Sequence, residues 1–420
     1  MLSPAVLISL VTLLVQPAPR LSDGRQSASS WLQWGGPSRN FQVAASPLGW
    51  TGAAPRRAWQ RELGDGFSSI VGDETTIYAA WRRGNTTVIA ALDAARGTPK
   101  WEQSLDSTPL AEMFLSYGQG PNSTPAVGAG RLFVVTFTGR LAALDTASGR
   151  VAWTRELWSE LKGTFRDVGY SNSPLLLDGL VILPVGGRGR ALMAFRQSDG
   201  ATAWSGGDLE NAMSSPIVIE LEGERQIVML MVEGVAGFDP KTGRQLWFHA
   251  HSTDYAVNAA TPVWHAPSST VILSSAYGAG TRAIRLTRVA GRTTASEAWY
   301  SRRLRVHHGN MLVLGSHVYG SSGDFGPAPM TALDVTTGGV AWQSRTFPKA
   351  TLVQAGHRTV VLDEDGRLAI VALAPSGMKV LQEAQITTKL SWTAPTLIGR
   401  RLYVRDRKAL VAIDLDVTTS

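Results

Sequence analysis

The chain carries few side chains with the reactivity and spacing that catalysis or metal binding needs. It has 420 residues, seven histidines and no cysteine. The missing cysteine excludes disulfides, thiolate metal sites and cysteine nucleophiles. His249-Ala250-His251 would put two imidazoles on one face of an extended segment, with Asp254 close behind. No third ligand follows at metal spacing, so a solvated loop is the plainer reading. In a strand the adjacent His307 and His308 would point apart, which makes a shared metal poor. Asp363-Glu364-Asp365-Gly366 resembles a fragment of a calcium loop but lacks its distal Glu, and reads as a tight acidic turn. The clusters Gly186-Gly187-Arg188-Gly189 and Gly278-Ala279-Gly280 precede no helix, so they make no phosphate cradle. Gly-x-Ser-x-Gly is absent, and no Ser/His/Asp arrangement is readable from spacing. No catalytic residue and no metal ligand is assigned.

A set of amides and aromatic rings offers more. Tyr117, Asn122, Tyr170, Asn172, Tyr255, Asn258 and His307 each stand shortly before the start of an apolar strand, as do Asn211, His308 and Trp392. Brought together, such groups would bind a sugar, a peptide or a planar cofactor. The alternative is Asn forming turns and Tyr packing between sheets.

What positions them is a repeat. The unit apolar-Asp-x-x-x-Gly-x-x-x-Trp runs Leu92-Asp93 to Gly97 and Trp101, then Leu144-Asp145 to Gly149 and Trp153. It recurs complete at Phe238–Trp247 and Leu333–Trp342, and with Arg196 for Asp at Phe195–Trp204. Ile284–Trp299 is a stretched copy, and Leu373–Leu381 a worn one with Leu at the Trp place. Asp accepts backbone N–H groups in a turn, and Gly supplies a positive φ. The Trp opens the next strand and buries a large ring between neighbouring sheets. Trp59, Trp101, Trp153, Trp204, Trp247, Trp299 and Trp342 share this position, seven of 14 tryptophans, which marks them as structural docking residues. Upstream of each unit comes a Ser/Thr-Pro step and then a Gly-led apolar strand. Thr124-Pro125, Ser173-Pro174, Ser215-Pro216 and Thr261-Pro262 are such steps, and proline suits the first residue of a strand.

Each repeat is therefore four short antiparallel strands, and the Trp spacings of 42, 52, 51, 43, 52 and 43 match a propeller blade. The chain ends on the Asp half of a unit, Ala409–Asp414, and begins on the Trp half, Arg57–Trp59. Joining them closes a ring without exposed edges. The expectation is an all-β, single eight-bladed β-propeller over residues 51–417. Its long loops, Glu102–Ser123, Thr154–Asn172 and Gly315–Pro329, fall on one face. Function concentrates on such loops, and Tyr117, Asn122, Tyr170, Asn172 and Tyr255 are expected to meet the partner there.

The apolar stretch Ala5–Val15 is too short to span a bilayer and fits a secretion signal over residues 1–20, with an N-terminal extension over 21–50. No basic residue precedes that stretch and no clean cleavage site follows it. The net charge of +7 is spread through turns rather than clustered, which argues against a nucleic-acid partner.

In the phased Asp-x-x-x-Gly-x-x-x-Trp unit the chain resembles the pyrroloquinoline-quinone-like β-propeller repeat family, over roughly residues 50–416. Trp31-Leu32-Gln33-Trp34-Gly35-Gly36-Pro37-Ser38-Arg39-Asn40 resembles the opening of many exported bacterial members. The resemblance implies one of two roles. Quinoprotein dehydrogenases hold pyrroloquinoline quinone (PQQ) with calcium on the propeller axis, often under a vicinal disulfide that this chain cannot form. BamB-type scaffold propellers of outer-membrane assembly bind partner proteins and catalyse nothing. The expectation is a periplasmic or secreted bacterial scaffold, monomeric, with no cofactor, that binds an envelope protein or a small ligand. The alternatives are a PQQ-dependent dehydrogenase and a carbohydrate or small-ligand binder.

Overall fold

The computed structural model describes residues 29–45, 48–323 and 328–417. The expected export segment lies outside the described residues. The described chain is all-β, with one short 3-10 turn at Ala266–Ser268. Eight four-stranded antiparallel sheets follow one another. Their first strands are Val71–Asp73, Ala126–Gly128, Leu175–Leu177, Ile217–Leu221, Val263–His265, Met311–Leu314, Thr351–Ala355 and Thr396–Ile398, which number blades 1 to 8. The outer strand of blade 8 is Arg56–Glu62, paired antiparallel with Ala409–Asp414, so the two halves of the split repeat close the ring. Middle strands are buried on both faces, as in Thr76–Arg83 and Thr86–Asp93, whereas the outer strand Pro99–Asp106 alternates. Neighbouring blades cover both faces of each sheet, which is why the middle strands read as unbroken apolar runs.

The repeat unit docks each blade on the next. Asp145 Oδ1 accepts the N–H groups of Ala147 and Ser148 at 3.2 and 2.9 Å, which closes the turn. Trp59, Trp101, Trp153, Trp204, Trp299 and Trp342 each donate an indole N–H to a carbonyl in the following blade's turn. The acceptors are Ala94, Thr146, Gln197, Pro240, Val335 and Ala374, at 2.6–3.1 Å. A Cβ on Gly97, Gly149, Gly200, Gly243 or Gly338 would lie 2.4–2.6 Å from the preceding blade's indole. Glycine is thus required twice, for φ near +70° and for the ring lying on it.

The irregular repeats depart in instructive ways. Trp247 faces the stretched blade 5, whose hairpin Gly280–Val289/Arg292–Ser301 has no Asp turn, and donates to Gln226 Oε1 at 2.7 Å instead. In blade 7 the expected place of Leu381 is corrected. Ile370 pairs with Gln382 and Val371 with Val380, so Leu381 is the residue skipped by the bulge and Gln382 holds the Trp register. The Gln382 amide grips both backbone groups of Trp50, a residue just ahead of blade 8's outer strand, and Trp50 is buried. An aromatic ring from elsewhere in the chain reaches the junction that lost its own.

The described residues of the N-terminal extension plug the ring. The inner strand of every blade turns one edge of unpaired peptide groups toward the axis, and burial would leave them costly. Residues 30–43 meet these edges. Ser30–Trp31 pairs with Val71–Asp73, and Gln42–Val43 pairs in parallel with Thr351–Ala355. The Leu32 carbonyl accepts the Val127 N–H in blade 2, and Gln42 Nε2 donates to the Val313 carbonyl in blade 6. Between them the guanidinium of Arg39 donates to the carbonyls of Ser173, Pro174 and Pro216 at 2.7–3.2 Å, serving blades 3 and 4.

Candidate functional site

Loops that enter the inner strands gather on one end of the ring and enclose an axial cavity of about 790 Å3. That volume lies within the usual range of ligand pockets. The plug closes it from within: Trp34 lines it, donates its indole N–H to Thr261 at 2.9 Å, and packs edge-on against Phe41 at 5.0 Å.

One wall is a continuous arc of rings. Tyr255 meets Tyr277 at 5.1 Å, Tyr277 meets His307 at 4.9 Å, and His307 meets His308 at 3.7 Å. His308 stacks on Trp392 at 4.5 Å, and Trp392 on Phe67 at 5.5 Å. Glu364, in the acidic turn, accepts the Trp392 indole N–H at 3.3 Å and pairs with Lys349 at 3.5 Å. The opposite lip is an edge-on pair, Phe114 and Tyr117, on the loop between blades 1 and 2. Phe114, Tyr117 and Tyr255 are exposed at this mouth, by 46, 62 and 66%.

Among the described residues three charged side chains line the cavity: Arg166, Asp167 and Lys349. Arg166 crosses from the blade 2–3 loop to the Ala256 carbonyl in the blade 4–5 loop at 3.0 Å. Burial pushes the His307 imidazole down to about 4, and Lys349 nearby works in the same direction, so the ring is neutral at physiological pH.

Tyr117, Asn122, Tyr255 and His307 are brought together here, with His308 and Trp392. Tyr170, Asn172 and Asn258 are not, and the expectation that they face a partner is corrected. Tyr170 is buried and donates to the Pro184 carbonyl at 2.8 Å. The buried Asn172 amide donates to the carbonyls of Ala212 and Ser214 and accepts from Asn211. Asn258 donates to the carbonyls of Met231, Val232 and His251. These loops are held by buried amides because loop peptide groups need partners that strands cannot supply. Sequence reading did not single out Trp34, Phe67, Tyr277, Arg166 or Lys349. Trp34 stood in the quoted opening motif, whose role in the site is invisible without the plug.

The buried His251 invites a catalytic reading that its partners contradict. Arg282 Nε donates to His251 Nδ1 at 3.2 Å, so Nε2 carries the proton and donates to Ser275 Oγ at 3.0 Å. Ser275 in turn donates to Asn258 Oδ1 at 2.6 Å. The serine hydroxyl faces a donor where an activated nucleophile needs a base. His249 and Asp254 do not join it: among the described residues no three His, Asp or Glu side chains cluster as a metal site.

Fold and site define a class: an eight-bladed propeller of Trp-docked blades with a plugged axis and an aromatic mouth. The family model described as outer membrane protein assembly factor BamB matches residues 84–344, more than half the chain, and the chain belongs to that family. No curated protein matches the sequence. Among solved structures the chain is similar to BamB from Moraxella catarrhalis, at 19% identity and TM-score 0.60, over 88% of this chain and 100% of that one. It is also similar to quinohemoprotein alcohol dehydrogenase from Comamonas testosteroni, at 13% identity and TM-score 0.64, over 95% and 82%. At these identities the likeness is one of fold.

The dehydrogenase-like fold raises the question of a quinone held with calcium. Calcium takes six to eight oxygen ligands, rich in carboxylates. Among the described residues Asp167 is the one carboxylate residue lining the axial cavity, and Glu364 is engaged by Lys349 and Trp392. This donor set does not fit a calcium ion.

Proposed function

We propose that the protein is a non-catalytic, exported scaffold that holds a partner protein at its long-loop face, with the axial cavity at the centre of the contact. The observation that carries this is the mouth: exposed Phe114, Tyr117 and Tyr255 around a concave, ring-lined centre. Clustered exposed aromatic side chains around a pocket are the anatomy of a protein-binding hot spot. The family description, an assembly factor of the outer membrane, supports a partner protein and an envelope location. Among the described residues no helix is long and apolar enough to cross a membrane. No cofactor enters this reading.

A photocrosslinking residue placed at Tyr117 or Tyr255 in cells tests it. Both positions should yield the same envelope-protein adduct, and Ala147, on the opposite face, should not. Adducts from Ala147 alone would move the contact to the other face. Stoichiometric quinone uptake with dye-linked alcohol oxidation would overturn the non-catalytic reading.

A further inference from the structure

Arg39 is the feature that the scaffold reading leaves unused. Its side chain is buried, 4% exposed, beneath a cavity lined by Trp34, Ser173 and Ser215. Its hydrogen-bond partners are three main-chain carbonyls and Gln33 Oε1. Burial lowers it to about 9, with no acidic group contributing, so it remains a cation at neutral pH. A buried charge with hydrogen bonds but no counter-ion is costly, and its field is weakly screened in the low dielectric around it. At the cavity itself Lys349 is matched by Glu364, and Arg166 stands beside Asp167. Among the described residues no ion pair matches Arg39, and the carbonyls it holds belong to the cavity-lining Ser173 and to Pro174 and Pro216, which follow the lining Ser173 and Ser215, so its field bears on the cavity.

We propose that the occupant of the cavity is an acidic segment of the partner polypeptide. An aromatic or large aliphatic side chain enters over Trp34, and flanking carboxylates lie in the field of Arg39 and Arg166. The aromatic arc supplies the apolar contact and the buried guanidinium the sign of charge. The inference rests on the scaffold reading and adds the partner's chemistry to it.

The test uses the full chain and three fluorescein-labelled decapeptides of matched length, followed by anisotropy. The first carries one Trp flanked by Asp and Glu. The second has Lys for the acids, and the third has Ala for the Trp. The first should bind at least tenfold tighter than either control, and its lead over the Lys peptide should shrink between 20 and 200 mM salt. Arg39→Gln keeps an amide donor for the carbonyls but removes the charge, and should erase most of the preference for acid. Because that variant sits in the plug, Asp167→Asn on the exposed rim gives an independent reading, and should tighten the acidic peptide several-fold. Equal binding of the acidic and Lys peptides, or a preference for Lys, overturns the inference. So does an unchanged preference in both variants. Crosslinking from Tyr117 and Tyr255 to a partner whose bound segment is basic would sink the acidic occupant and leave the scaffold reading standing. If neither position crosslinks, the scaffold reading itself fails.

Discussion

The two faces of the ring are built by opposite rules. On one, the Asp turns repeat almost unchanged, each a glycine pressed under the previous blade's indole. On the other, the loops differ in length and sequence, and what they share is a cavity. The turn face also has a pocket, of about 350 Å3, but charged groups rather than rings dominate its lining, with Arg56 and Arg401 paired to Asp414. Five of these turns press a glycine under a neighbouring indole, so at those glycines they tolerate no side chain. The loops share no such repeated contact, so they are free to specialise.

The largest expected effect is on the docking side of that comparison. Trp153→Ala should lower stability by about 3–5 kcal/mol in urea denaturation, as for other large core aromatics. Trp247→Ala should fall in the same range, since the ring is buried although its N–H bonds to its own blade. Leu381→Ala should cost under about 1 kcal/mol, because Leu381 is 37% exposed at the bulge. Equal losses at all three sites would break the account of inter-blade docking.

Next comes an effect that belongs to the loop face. Burial holds His251 and His307 down to about 4 in the folded protein, against 6.5 for a free imidazole. Below pH 6.5 the unfolded chain takes up protons that the native state refuses. Stability is therefore full above 6.5 and falls as pH drops toward 4, by roughly 3 kcal/mol per group. His307→Asn should remove its share of that loss. Hydrogen exchange at pH 5 should show the loop face opening before the Asp turns. If the turns open first, the two faces do not differ in acid stability as argued.

The docking side was legible in the sequence because it repeats. An Asp, a Gly and a Trp in phase fix turn, register and neighbour at once, so the eight blades and the closure through Arg57–Trp59 follow from spacing. The loops do not repeat, and the same residue types serve both purposes there. Asn122 and Asn172 both precede a Ser/Thr-Pro step, yet one lines the cavity and the other is sealed between blades. Which occurs depends on whether neighbouring loops leave peptide carbonyls to satisfy, a tertiary fact. The plug was illegible for a similar reason: Trp34 and Arg39 act across more than a hundred residues of sequence, on a hydroxyl and carbonyls of the Ser/Thr-Pro steps, and nothing in those steps marks them as acceptors for a distant segment.

Within the loop face, a smaller effect separates braces from contacts. Asn172→Ala should cost about 1–3 kcal/mol by stranding buried carbonyls, and Tyr170→Phe about 1 kcal/mol. Partner affinity should change only as far as the loop shifts. Loss of binding with an unchanged melting temperature at Asn172 would return it to the site.

The smallest effect on stability should accompany the largest on binding. Tyr117 and Tyr255 are 62 and 66% exposed, and each touches one neighbouring ring edge-on, Phe114 and Tyr277. Removing either ring uncovers little that was covered, so Tyr117→Ala and Tyr255→Ala should leave stability within about 0.5 kcal/mol of the parent. A partner that seats on the mouth covers both rings, and losing one exposed aromatic anchor costs about 2 kcal/mol or more in such contacts. Crosslinking or titration of the partner should therefore weaken by more than tenfold in each variant, with melting curves superimposed on the parent's. The matching control is Ser148→Ala on the turn face. There the hydroxyl bonds Asp145 at 2.8 Å, so stability should dip slightly and binding should not move. If Ser148→Ala weakened binding and Tyr117→Ala did not, the uniform face would be the working one, and the cavity a by-product of closing eight blades around a plug.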